Sequence, residues 1–223
     1  MIFLNPVPIV DHDAILGKDF NKKFATFMAD FYQPFKKHNL DIQVAKETWE
    51  YGVTKGITGA TWVGAGKNVV DVKTLTADLD VKGLSCSTIS SKQTTEASFL
   101  QNNKKQNDGF ATLFESGDYS ALKTMFVDPI LDKIKNTNNL HMLCIVRDKA
   151  ENEVYYSLLK VEKTSLTDQE FLSKMVADAD RGVSVPMIDP AYGKTYIYIP
   201  KRRLEVRLNP SGMSTFFVNS HRY

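Results

Sequence analysis

The sequence predicts an α/β protein with a mixed central β-sheet flanked by helices. Three observations predict it. Aromatic residues recur at helical spacing over residues 19–37. An unbroken apolar strand at 140–146 is followed by a turn and a second strand. Short apolar segments toward the C-terminus are punctuated by Pro200, Asn209, Pro210 and Gly212. At 223 residues, one domain spanning 1–223 is the expectation.

The helices come first. Phe20, Phe24, Phe27 and Phe31 form one stripe over residues 19–37, with Pro34 expected to weaken the end. A second helix is expected at 41–51, with Ile42, Ala45 and Trp49 on one face, Glu50 beside it and Gly52 as its stop. A glycine-dense segment follows, ending in Gly64-Ala65-Gly66-Lys67. It fails as a phosphate loop, because Thr61 stands where the first glycine belongs and Asn68 where a serine or threonine must hold magnesium. It reads as a loop.

Residues 69–73 and 79–82 read as two strands joined by a turn. Beyond them, 87–109 is rich in Ser, Thr, Gln, Asn and Lys, and reads either as a solvated segment or as a surface that hydrogen-bonds a partner. Helical spacing returns at 119–135, interrupted at Pro129. A strand pair is expected at 140–146 and 154–161. Thr167 and Glu170 make a capping box for a helix carrying Phe171, Leu172, Met175, Val176 and Ala179 and ending near Gly182. Strands are expected at 195–199, 204–208 and 215–218.

Composition narrows the function classes. The chain is 43% hydrophobic and 24% charged, as a globular protein is, and no apolar run reaches membrane-spanning length. The N-terminal residues lack the pattern of a signal peptide, and Cys86 and Cys144 lie in no metal-binding spacing, so a reducing cytoplasm is the expected compartment. His12, His38, His141 and His221 are scattered and build no Ser-His-acid arrangement. From residue 194 onward, six basic residues meet one acid, so that stretch is +5 and the rest of the chain −3. A basic end of this kind suits either a phosphate-facing surface or a solvated strand face.

The chemistry concentrates in the two central strands. Asp71-Val72-Lys73 and Asp80-Val81-Lys82 both carry an acid two residues before a lysine, a pairing no more frequent here than composition predicts. Their context is more specific: consecutive strands, a turn between the acids, and a helix bearing Glu50 upstream. Two carboxylates holding a hard divalent cation beside a lysine suit phosphodiester hydrolysis, and solvated strand charges are the plainer alternative.

These residues resemble the PD-(D/E)xK nuclease superfamily, the fold of most type II restriction endonucleases, over about residues 42–90. Its pattern is a helix, an aspartate at a strand end, then a strand bearing acid-x-lysine. Asp71 matches the first aspartate, with Val70 in place of the usual proline, Asp80 the second acid, and Lys82 the lysine. Glu50 matches an acid that some members carry on the first helix. The resemblance implies that Asp71 and Asp80 bind Mg2+, with a backbone carbonyl near Val81, and that Lys82 positions or deprotonates the attacking water. Asp78 is the rival for the first carboxylate.

The function so implied is Mg2+-dependent, site-specific cleavage of double-stranded DNA by a homodimer, with no membrane involved. Lys92, Gln93, Gln101, Asn102 and Lys104, together with Lys201, Arg202 and Arg203, are the expected DNA contacts, because amides suit base edges and cations suit phosphates. A repair or junction-resolving nuclease of the same fold and a non-catalytic DNA-binding accessory protein are the alternatives.

Overall fold

The structure is a computed structural model. It describes residues 2–38, 44–64, 69–86, 113, 116–122, 124, 135–165, 169–170, 176–178, 182–186, 193–198, 203–208 and 214–222. The protein is α/β, with a mixed seven-stranded sheet flanked by helices. Two compact units make up the chain. One comprises Pro6–Gln93, Thr137–Val161 and Met213–Tyr223, and the other Met1–Asn5, Thr94–Asn136 and Glu162–Gly212.

Strand β1 (Ile2–Pro8) opens the chain, with its last three residues in the first unit, which continues with a short helix α1 (Asp13–Leu16) and the long helix α2 (Phe20–Lys37). Phe20, Phe24, Met28 and Tyr32, spaced four apart, are the buried stripe of α2. Phe27 and Phe31 pack partly buried at its flank. The helix runs through Pro34 to Lys37, beyond the expected weakening.

Helix α3 occupies Lys46–Gly56, five residues later than its apolar pattern suggested. Gly52 is therefore not a stop but a contact. A Cβ there would lie 2.9 Å from the Phe27 ring, and one at Gly56 would lie 2.8 Å from the Phe20 ring. With two bare positions one turn apart, the aromatic stripe of α2 can approach the α3 backbone.

Strands β2 (Thr61–Trp62), β3 (Val72–Lys73) and β4 (Asp78–Cys86) form an antiparallel meander. The loop between β3 and β4 is closed by Thr74. Its hydroxyl accepts from the Ala77 and Thr76 amides, and its own amide donates to Ala77 O at 2.8 Å. A further short helix, α4, covers Tyr119–Leu122 and belongs to the second unit. Strand β5 (His141–Asp148) then runs parallel to β4, and β6 (Glu153–Ser165) returns antiparallel to β5. An Asx turn starts their connection, where Asp148 Oδ1 accepts from the Ala150 and Glu151 amides.

Leu79 and Val81 of β4 join Leu143, Ile145, Val154, Tyr156 and Leu158 in the core beneath α2 and α3. By strand alternation Asp78, Asp80 and Lys82 project to the opposite side. The far edge of β6 is shared. The last strand, β11 (Val218–Arg222), pairs with its first residues, and Ile9 N bonds Leu158 O further along.

In the second unit, β7 (Val176–Asp178), β8 (Gly182–Pro186), β9 (Gly193–Tyr198) and β10 (Arg203–Leu208) form a separate antiparallel sheet. This corrects the expected helix at its C-terminal end. Residues 169–170 are helical, but Val176, Ala177 and Asp178 pair with Ser184, Val183 and Gly182. Ladder hydrogen bonds to a neighbouring strand outweigh helical spacing there. Residues 214–216 form a 3-10 turn rather than the start of a strand. Among the described residues no helix is long and apolar enough to cross a membrane.

Candidate active site

Asp71 ends the approach to β3 and grips β4 on both sides of Asp80. Its amide donates to Leu79 O at 2.9 Å, and its Oδ2 accepts from Val81 N at 2.8 Å. The carbonyl of Asp71 in turn accepts from Val63 N at 2.9 Å, which ties it to the end of β2. The side chains of Asp71 and Asp80 thus lie close enough for the charge of Asp71 to raise the pKa of Asp80, and both residues are only 3% exposed. Lys82, two residues further along β4, places Nζ 2.7 Å from Asp80 Oδ1. The turn-separated acids and the lysine of the second triplet therefore share one location.

Glu50 joins them from α3. It is fully buried, and Trp62 Nε1 of β2 donates to its Oε2 at 2.9 Å. One turn earlier, Lys46 bridges the two elements. Its Nζ lies 2.9 Å from Glu50 Oε1 and donates to Asp71 Oδ1 at 2.9 Å. The approach to Glu50 is an ion pair without hydrogen-bond geometry, so among the described residues Oε1 has no hydrogen-bond partner.

Burial governs the protonation of this cluster. Loss of hydration, partly offset by Lys82 and reinforced by Asp71, raises the Asp80 carboxyl to about 7. For Lys46, burial works against the ammonium, but the negative charges of Glu50 and Asp71 and the hydrogen bond to Asp71 outweigh it and hold the pKa above the usual lysine value. Three buried carboxylates and two amines, one of them half exposed, thus meet where α3 adjoins β2–β4.

The rival carboxylate Asp78 is engaged elsewhere. Its Oδ2 accepts from Asn138 N at 2.7 Å, and its amide donates to Asn138 O at 2.8 Å, pinning the segment that enters β5. Lys73 of the first triplet is exposed on β3, opposite Asp78. His141 is buried, with Nδ1 2.6 Å from Asn139 O, and burial lowers its pKa. Lys92, Gln93, Gln101, Asn102, Lys104, Lys201 and Arg202 lie outside the described residues, as does the side chain of Arg203.

Two participants went unread in the sequence. Lys46 and Glu50 stand at i and i+4, a spacing that pairs opposite charges on a helix. Starting the helix at Lys46 would have revealed the pair. Trp62 carried no comparable signal. Among the described residues no group of three His, Cys, Asp or Glu side chains is placed to hold a metal ion. No family model, curated protein or solved structure matches the chain.

Proposed function

We propose that the protein is a Mg2+-dependent endonuclease of the restriction type, cleaving phosphodiester bonds of duplex DNA. The observation that carries this reading is the grip of Asp71 around Asp80, with Lys82 2.7 Å from the same carboxyl. Two buried carboxylates this close repel one another once both are ionised, and a cation between them relieves that repulsion. The donors are all oxygen, which suits a hard ion, and Mg2+ is commonly held by only one or two carboxylates completed by water and substrate phosphate. Asp71 and Asp80 would hold it. Bound there, Mg2+ would supply Lewis-acid polarisation of the phosphate and a more acidic water.

The chain's own groups have distinct parts. Asp80 and Asp71 orient the cation side of the scissile phosphate. Lys82, held against Asp80, positions the attacking water and offsets the charge that builds on the phosphate oxygens. Lys92, Gln93, Gln101, Asn102, Lys104, Lys201, Arg202 and Arg203 are assigned to DNA contact by residue type. A homodimer would match the two-fold symmetry of a palindromic site.

The test is incubation of phage DNA with the protein, with and without Mg2+. Discrete fragments are expected only with the metal. Asp80→Ala is expected to abolish them while retaining DNA binding. Absence of cleavage with both Mg2+ and Mn2+ on varied duplexes, or full cleavage by Asp80→Ala, overturns the reading.

A further inference from the structure

The cluster holds more acid than one magnesium ion needs. Glu50 is completely buried, and among the described residues its Oε1 has no hydrogen-bond partner and meets the Lys46 ammonium. That ammonium stands 2.9 Å from Glu50 Oε1 and 2.9 Å from Asp71 Oδ1, so it occupies a bay between two carboxylates as a cation does. It is carried on a helix pinned to the sheet, and the long stem of Lys46 leaves about half the side chain exposed. The other side of Asp71 faces Asp80, with which Lys82 pairs at 2.7 Å.

We infer that Lys46 is a tethered cation that fills a second cation position between Glu50 and Asp71, so that the site takes one divalent ion where the bare carboxylates would take two. The inference rests on the metal reading above and deepens it. Carboxylates without a counter-charge at this burial demand one. The fold supplies it from α3, with no metal in the bay. Lys46 is thus a positioning residue for the metal site, and its effect is read in metal stoichiometry.

The experiment is Mn2+ binding by calorimetry and by electron paramagnetic resonance on the full chain. Wild type is expected to bind one Mn2+ and Lys46→Met two. Lys46→Arg, which keeps a cation, and the double variant Lys46→Met with Glu50→Gln, which removes the bay's second acid, are each expected to bind one. One Mn2+ in both wild type and Lys46→Met overturns the inference while leaving the magnesium reading in place. None in either overturns both. None in wild type with one in Lys46→Met overturns the magnesium reading and with it the one-ion stoichiometry inferred for the wild-type site. A second measurement does not depend on a variant folding. Acylation of Lys46 in wild type, followed by mass spectrometry with exposed Lys73 as the internal reference, is expected to be no faster with saturating Mg2+. Acceleration by Mg2+ means that the divalent ion ejects the ammonium, and overturns the inference.

Discussion

Adding a single methyl at Gly83 tests how the site is assembled. An ideal Cβ at this position would lie 2.0 Å from Trp49 Cδ1, 2.3 Å from Nε1 and 2.6 Å from Cγ. The indole must therefore retreat by more than an ångström, and Trp49 is only 3% exposed on a helix already wedged against α2. Overpacking commonly costs about 1–3 kcal/mol, and this overlap belongs at or above the upper end. Gly83→Ala is thus expected to destabilise the unit by about 3 kcal/mol or more. Gly17→Ala is the control. Among the described residues nothing lies within 4 Å of its Cβ, and its φ of +84° with ψ of 150°, a region almost confined to glycine, leaves only backbone strain, about 1–3 kcal/mol. Urea unfolding followed by far-UV circular dichroism measures both. Repeating Gly83→Ala in a Trp49→Ala background closes the cycle, since the clash is then gone and the added methyl should cost little. An unchanged midpoint for Gly83→Ala, or equal losses in both backgrounds, would refute the close approach of α3 to β4.

Three further outcomes are expected. Lys82→Ala should slow single-turnover DNA cleavage by about 10²–10⁴-fold, as for a positioned acid–base group, while Lys73→Ala, exposed on β3, should leave the rate near wild type. If Lys73→Ala is the inactive variant, the assignment of the two triplets is wrong. Asp78→Ala should cost about 1–3 kcal/mol in chemical denaturation, because it leaves the Asn138 amide without its 2.7 Å acceptor, yet Mn2+ stoichiometry should not change. A lost Mn2+ would make Asp78 a ligand. Burial lowers the pKa of His221 from 6.5 to about 4, so the unfolded chain takes up a proton before the folded one. Stability is therefore complete above pH 6.5 and falls as pH drops toward 4, by at most about 3 kcal/mol and by less because the ring is partly exposed. His221→Gln should flatten that slope in pH-dependent urea unfolding, and an unchanged slope would remove His221 as its source.

The strands whose side chains obey one simple rule were legible from sequence. β5 and β6 follow apolar runs bounded by a turn, and the acids at 71 and 80 with Lys82 were placed by a turn between two short strands. Lys46 was hidden because Gly52 looks like a helix stop. Only the packing of Phe24 and Phe27 onto α3 explains a glycine in mid-helix. β1 was hidden for a related reason. Pro6 and Pro8 argue against a strand, but at the edge of a sheet a missing amide donor is tolerated. β7 was mistaken for helix because Val176 and Ala179 continue an apolar spacing, and a three-residue strand is decided by its partner rather than by its own sequence.

Asp78 and Asp80 show why burial alone does not mark a site. They lie two residues apart on one strand, at 5% and 3% exposure, with side chains on the same side. Asp78 accepts a backbone amide at 2.7 Å, a partner with a fixed place in the fold and no reason to leave. Asp80 faces Lys82, which favours its charge, and Asp71, which opposes it. The first arrangement is stable as it stands. The second is improved by any cation that can enter between the acids, and the lysine beside it is only 17% exposed. A group held in competition between an attractive and a repulsive neighbour is poised to respond to a ligand, whereas one satisfied by the backbone is not. That difference, and not the acid-x-lysine spacing that both triplets share, singles out Asp80 and Lys82 as the place to look for chemistry.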